Sequence, residues 1–206
     1  MMIIRTANLM DLTEPHLQQA AVMLGRAFHN DPWILYLYPD EVERRRRLPG
    51  AFGIVLRYAL RYGEITTTAD VTGTACWLPP GKTTPTLRGM LNTGSLRPSF
   101  QLGWQGLLRS NRLQIYQNDL HKRYVSEPHW YLYLLGVDLP VQGQGIGSML
   151  LRSGLERVDA ARLPAYLETM NPRNVPFYQK FGFSIVHEGE IPGSNVRMWS
   201  MLRTQR

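Results

Sequence analysis

A single α/β domain, with a mixed central sheet flanked by helices, is the fold this sequence predicts, and three observations carry the expectation. At ~150 residues per domain, 206 residues make one domain with elaborations. A composition of 44% hydrophobic and 19% charged residues suits a sizeable buried core and excludes a disordered or collagen-like chain. The last third reads strand, helix, strand, so Tyr131–Val137 and Ala165–Thr169 should pair in parallel, while an earlier hairpin must be antiparallel.

The elements follow in order. Met2 to Ala7 reads as a short opening strand. Asp11 is placed to cap a helix running to Phe28, because Leu12, Leu17, Ala20, Ala21, Leu24, Ala27 and Phe28 recur near the helical period. His29-Asn-Asp-Pro32 breaks it, since proline excludes its predecessor from the helical region. The connection Trp33 to Asp40 is unusually aromatic, and a second helix spans Glu41 to Tyr62. Glu64–Ala69 and Gly73–Leu78 form the hairpin, ended by Pro79-Pro-Gly81. Lys82 to Arg112, rich in Gly, Thr, Pro and Leu, reads as one or two short helices or a lid, and Leu113–Val125 as a further helix. His129–Val137 is a strand. After the loop from Asp138 comes a helix in which Ile146, Met149, Leu150, Gly154, Val158 and Ala161 share one face. Ala165–Thr169, Phe183–Glu188 and Arg197–Leu202 are strands, with a short helix at Val175–Lys180.

Composition bounds the function. No apolar run approaches the ~18 residues of a membrane span, and MMIIRTANLMDL lacks the pattern of a signal peptide, so a soluble cytoplasmic protein without membrane partners is expected. Cys76, the single cysteine, excludes a disulfide framework and a multi-thiolate metal site; in its apolar run it reads as a small buried hydrophobe, so no metal is expected. The net charge of +7 rests on 23 basic residues, 20 of them arginine, which fits nucleic acid, an anionic surface or a polyphosphorylated cofactor. Arg44 to Arg47 cannot all face one groove and read as a solvated helix face. Zinc spacing, stacking aromatics and a helix-turn-helix are all lacking, so nucleic-acid binding stays an alternative carried by charge alone.

The densest signal is Gln142-Gly-Gln-Gly-Ile-Gly147, between a strand and a helix. Its glycines let the backbone approach a ligand, and the helix start offers unpaired N–H groups to a phosphate. A dinucleotide fingerprint is the first rival, with Gly143, Gly145 and Glu168 at tempting positions. Ser148 stands where its third glycine should be, five residues separate strand from glycine, and too few residues follow for the remaining βαβ units. A Walker loop fails because no Gly-Lys-Ser/Thr follows.

Gln142-x-x-Gly145-x-Gly147, after a strand ending in Val137, resembles the acyl-CoA pyrophosphate loop of the GNAT N-acetyltransferases. The segment from Leu167 to Phe183, with Asn171 and Asn174 ahead of Phe177-Tyr-Gln-Lys-Phe-Gly-Phe183, resembles that superfamily's second signature, in the right order and at a suitable distance. Within the superfamily the stretch Trp130 to Arg203 is most similar to puromycin N-acetyltransferase-like proteins, through Pro164–Thr169, Pro172–Tyr178 and Trp199–Arg203; the first 125 residues resemble them only through Ala27-Phe-x-x-Asp-Pro32 and Cys76-Trp-Leu-Pro-Pro80.

The resemblance implies a GNAT acyl-CoA N-acyltransferase fold with a splayed mixed sheet: one domain over 1–206, residues 1–125 mainly on the acceptor side and 126–206 binding acetyl-CoA. It implies acetyl transfer from acetyl-CoA to a primary amine of a small molecule or peptide, by direct attack in a ternary complex. Carried over, the Val137 N–H faces the thioester carbonyl, and the backbone of Val137, Asp138 and Leu139 pairs with pantetheine. The N–H groups of Gln142, Gly143, Gln144, Gly145, Ile146, Gly147 and Ser148 hold the pyrophosphate, the Gln142 side chain standing where an arginine is frequent. Tyr178 becomes the general acid, a phenol of pKa ~10 that stays protonated beside a thiolate whose parent titrates near ~8.5. Asn171 and Asn174 are candidate hydrogen-bond partners of the pantetheine, or ordinary helix caps. The general base is not readable: Glu168 lies on the right strand but can equally face a structural partner, and His129, Tyr133 and Asp138 are weaker options. Phe28 to Tyr38 with Asp31 offers an aromatic wall and a carboxylate for the acceptor, or simply core packing. An acyl-CoA-binding sensor without turnover is the remaining alternative, and a homodimer is left open.

Overall fold

The computed structural model describes residues 8–85, Gly89 and 98–205, with the backbone alone of 98–104. The expected opening strand at Met2–Ala7 lies outside the described residues, as do residues 86–88 and 90–97 of the 82–112 segment. The chain order is β1 (Leu9–Asp11), α1 (Glu14–Ala27), α2 (Pro32–Leu37), α3 (Glu41–Tyr62), β2 (Glu64–Thr68), β3 (Gly73–Leu78), α4 (Pro98–Tyr124), β4 (Trp130–Val137), α5 (Ile146–Ala160), β5 (Ala165–Thr169), α6 (Val175–Gln179), β6 (Ser184–Glu190) and β7 (Arg197–Arg203). Short 3-10 turns at Leu139–Val141 and Pro172–Asn174 lead into α5 and α6.

The strands form a seven-stranded mixed sheet in the order β1-β2-β3-β4-β5-β7-β6. β4 and β5 pair in parallel, as the strand–helix–strand reading requires, and their neighbours pair antiparallel. The sheet is buried on both faces, and the buried apolar side chains among the described residues fall into three clusters, two of them large. On one face, α1 and α3 pack over Ile65 and Cys76; on the other, α5 packs Leu150, Leu151, Leu155 and Val158 over Ala75, Trp77, Leu132 and Leu167. β3 is therefore buried at every position, which its near-continuous apolar sequence anticipates. No helix among the described residues is long and apolar enough to cross a membrane.

Four local expectations change, the first being that the aromatic stretch from Trp33 is not a bare connection but forms most of α2. Asp11 does not cap α1: it sits in β1 opposite Thr66, and Thr13 precedes the helix with Pro15 in its first turn. Leu113–Val125 is not a separate helix but the second half of the 27-residue α4, whose glycines and Pro98 hide its continuity from a propensity reading. Arg44 is not part of a solvated face. It is buried and donates to the carbonyls of Tyr38 and Pro39 at 2.8 and 3.1 Å, while Arg45 pairs with Glu41 and Arg46 and Arg47 pair with Glu43. Four consecutive residues span more than one turn, so one must point inward. Cys76 is buried as expected, and burial pushes its thiol up, away from reactivity.

Candidate active site

The site begins with a fault in the ladder. β4 and β5 pair only at Trp130↔Ala165 and Tyr131↔Tyr166, and then part. Directly beyond that last pair, β4 carries one more residue than β3: Trp77 faces Leu132, but Cys76 faces Leu134. Tyr133 is the extra residue of a β-bulge, which bends its strand and increases the local twist. Tyr133 and Leu134 consequently pack towards the same core, and alternation resumes with Leu135 and Val137 towards α5 and Gly136 towards α1. At Gly136 a Cβ would stand 2.5 Å from the Leu24 side chain and 2.8 Å from that of Phe28, so only glycine lets α1 bring Phe28 down onto the open seam.

The opening is a cavity of about 700 Å³. Gln142, Gly143, Gly145, Ile146, Gly147 and Ser148 line one end. Gly143 and Gly145 adopt φ of +78° and +87°, where an L side chain is strained, and nothing lies within 4 Å of a Cβ built at either. Gly145 leads into α5, whose first backbone bond is Met149 N–H to the Gly145 carbonyl at 3.0 Å. The N–H groups from 143 to 148 thus precede the helical ladder, which is what an anion at a helix start requires. Gln142 differs from expectation: its N–H reaches the Leu139 carbonyl at 3.4 Å, and its side-chain amide donates to the Val137 carbonyl at 2.8 Å, tying the loop back to β4. Arg173 and Lys180 stand in the cavity wall as cations that sequence reasoning did not single out.

Asn171, Asn174, Phe177 and Tyr178 form the opposite wall. Both asparagines have local work: Asn171 Oδ1 accepts from Arg173 N–H at 3.1 Å as a cap, and Asn174 Nδ2 donates to Thr169 Oγ1 at 3.2 Å. Together they hold the turn that delivers Tyr178 from α6. Burial pushes the Tyr178 phenol well up from its ordinary range, and the carboxylate of Asp31 adds to this.

Asp31 belongs to the turn between α1 and α2 and, with Phe28, closes the cavity from the acceptor side that the sequence suggested. Its Oδ1 accepts the Trp33 N–H at 3.0 Å as the N-cap of α2, which fixes its rotamer. Burial nevertheless raises its pKa to about 6, against the lowering effect of the backbone donors.

The remaining candidates lie elsewhere. Asp138 and Gln144 are not among the cavity-lining residues, whereas Val137 and Leu139 are. Asp138 makes a forked ion pair with Arg26 and caps the 3-10 turn through the Leu139 N–H at 3.0 Å; Gln144 reaches the Pro140 carbonyl at 3.4 Å. Glu168 is placed apart from Tyr178. It alternates with Leu167, so it faces the α4 side of the sheet with a side chain only 1% exposed. There Tyr131 donates to its Oε2 at 2.6 Å, and His121 Nδ1 lies 3.8 Å from Oε1. Burial raises Glu168 to about 7 and lowers His121 to about 4. His129 stacks on His121 at 5.2 Å in the same compartment.

A parallel pair that splays beyond its first rungs, a glycine loop opening a helix at one end and a buried tyrosine at the other define an acyltransferase fold. The family model described as the acetyltransferase (GNAT) family matches residues 106–183. An uncharacterised N-acetyltransferase of Schizosaccharomyces pombe is 28% identical over 172 residues, 81% of this chain and 70% of that protein. Among solved structures, a Corynebacterium glutamicum protein described as histone acetyltransferase HPA2 and related acetyltransferase superposes over 97% of both chains with TM-score 0.66 and 23% identity. A mosquito arylalkylamine N-acetyltransferase-like protein covers 96% of this chain and 99% of its own with TM-score 0.61 and 14% identity. The matched stretch 106–183 thus resembles the GNAT acetyltransferase family, whose members generally draw their acyl group from acetyl-CoA.

Proposed function

We propose that this protein transfers an acetyl group from acetyl-CoA to a primary amine of a small molecule or peptide, by direct attack in a ternary complex. The observation that carries the reading is the single cavity that joins the donor-rich loop 143–148 to Tyr178 across the open β4–β5 seam. Its residues fit the cofactor: open N–H groups at positive-φ glycines, with Arg173 and Lys180 alongside, suit a pyrophosphate, and the strand edge from Leu135 to Val137 suits an amide-bearing arm. Bound there, acetyl-CoA supplies an activated acyl group on a thioester. The chain's own residues do the rest. Backbone N–H groups of β4 left without a β5 partner are available to a developing oxyanion. Tyr178 remains protonated throughout the physiological range and keeps a proton where the thiolate departs. Single-domain behaviour, with residues 1–125 shaping the acceptor side and 126–206 the cofactor side, is part of the same proposal.

Thermal denaturation with acetyl-CoA, free CoA and NAD tests it. A ligand at a hundredfold excess over its Kd adds ~2.7 kcal/mol, roughly 5–10 °C for a chain of this size. Shifts with both CoA species and none with NAD, followed by amine-dependent thiol release from acetyl-CoA, are expected. A flat response to CoA overturns the reading, and a CoA shift without thiol release for any amine reduces the protein to a binder.

A further inference from the structure

Resting on that acetyl-transfer reading, we infer that Asp31 is the proton acceptor for the attacking amine, and that its carboxylate selects an acceptor whose amine is cationic in solution and carried on an apolar arm. Glu168, the carboxylate the sequence pointed to, does not have this role.

The cavity has an electrical polarity. Arg173 and Lys180 are its cationic lining residues, and Asp31 is the one carboxylate among the lining residues. An anionic ligand is drawn to the former and an ammonium to the latter. Among the described residues Asp31 makes no ion pair, and its cationic neighbours are committed elsewhere. Arg26 forks onto Asp138, and Arg44 is spent on the Tyr38 and Pro39 carbonyls. His29 stands 4.0 Å from Glu41 and 3.5 Å from Arg44. The groups facing Asp31 across the cavity are Tyr178 from α6, with Arg173 and Lys180 further along the wall. A half-buried carboxylate with no cation of its own lies beside a wall contributed by Phe28, itself packed on Phe52 at 5.1 Å. That is a site for an ammonium with hydrophobic substituents.

Proton bookkeeping fits. The bound ammonium gives one proton to Asp31, the freed amine nitrogen bonds to the acyl carbon, the carbon–sulfur bond breaks, and the thiolate takes the Tyr178 proton. The extra proton left on the new amide nitrogen returns through solvent to Tyr178. Donor and acceptor groups share one cavity, which Glu168 does not reach. A carboxylate titrating near 6 is ionised at neutral pH yet basic enough to accept a proton.

The test compares Asp31→Asn, Asp31→Glu and Glu168→Gln with the parent protein. Thiol release is followed from pH 5 to 9 with tyramine and n-hexylamine as cationic probes and glycylglycine as a zwitterionic one. Asparagine also caps helices, so α2 keeps its start. Expected are activity with the cationic probes over glycylglycine, and loss of about 100-fold in kcat/KM for Asp31→Asn. The acidic limb near pH 6 should vanish in Asp31→Asn, with partial rescue by Asp31→Glu and the same limb in Glu168→Gln. The CoA-induced thermal shift, a readout independent of turnover, should be unchanged in Asp31→Asn, and the further shift that tyramine adds to the CoA-bound parent should be lost. An Asp31→Asn protein with the parent's rate and pH limb overturns the inference, as does transfer of the limb's loss to Glu168→Gln. Failure of every cationic probe with a protein that does shift with CoA overturns the acceptor assignment alone; absence of the CoA shift overturns the cofactor reading beneath it.

Discussion

Two carboxylates lie near one strand seam, both with raised pKa values and for the same reason, burial, yet in different surroundings. Glu168 lies two residues past the last β4–β5 pair but on the closed, α4 side of the sheet, roofed by Tyr131 and His121 and outside the cavity lining. Asp31 lies at the open end, capped by one backbone N–H and facing Tyr178 across about 700 Å³ of space. A perturbed titration therefore marks a functional site only when the group can also meet a ligand. Enclosure makes Glu168 an element of stability, and access makes Asp31 an element of chemistry.

The comparison extends to the tyrosines and can be broken there first. Tyr178 at the open end and Tyr131 on the closed side are both buried phenols. Replacing Tyr178 by Phe should lower kcat by about 100-fold or more with little change in melting temperature. Tyr131→Phe should do the opposite, removing a hydrogen bond to a buried carboxylate and costing about 2 kcal/mol in urea unfolding. Equal kcat losses in the two variants would erase the distinction.

A sharper test uses pH. The folded pKa of Glu168, about 7, lies above its ordinary 4.5, so its contribution to stability is full below 4.5 and is lost as pH rises through 7. His121, lowered from 6.5 to about 4, contributes stability above 6.5 that is lost as pH falls through 4. Between 4.5 and 6.5 the two oppose each other. Glu168→Gln removes one of them, so its stability relative to the parent should rise by about 3 kcal/mol from pH 4.5 to 7.5 in urea titrations. A pH-independent difference would mean that Glu168 is not held protonated.

The smallest effect belongs to the loop. Gly145→Ala meets no neighbour, so the left-handed backbone alone should cost about 1 kcal/mol of stability. CoA titration would show a weaker Kd if the same conformation aims the N–H groups at phosphate, and an unchanged one if it does not.

Much of the open end was legible because it is written locally. The loop 142–147, the asparagines and Tyr178 lie within one strand–helix–strand stretch, where glycine spacing and chain order imply placement. Phe28 and Asp31 could be nominated from composition, but the fold alone brings Phe28 over Gly136 and Asp31 into the same cavity. The closed, α4 side was not legible. Alternation of Leu167 and Glu168 assigns opposite faces without saying which opens to a ligand, and His121 comes from α4, whose length the glycines conceal. Arg173 and Lys180 carried no signal beyond nearness to the asparagines. The burial of Arg44 follows only once the helix has two carbonyls to serve.

The bulge at Tyr133 has a further consequence. Count along β4 without it: Trp130 and Leu132 face α5, Tyr131 and then Leu134 face the other way, and Leu135, Gly136 and Val137 keep the faces they occupy now. The extra residue is thus a single-codon insertion that disturbs no other side chain's allegiance. A chain lacking it would keep the same cores with an uninterrupted β3–β4 ladder and would lose chiefly the bend beside which β4 and β5 part. In this molecule the bend that adjoins the cleft thus comes to one amino acid, an inexpensive step for insertion and deletion to take in either direction.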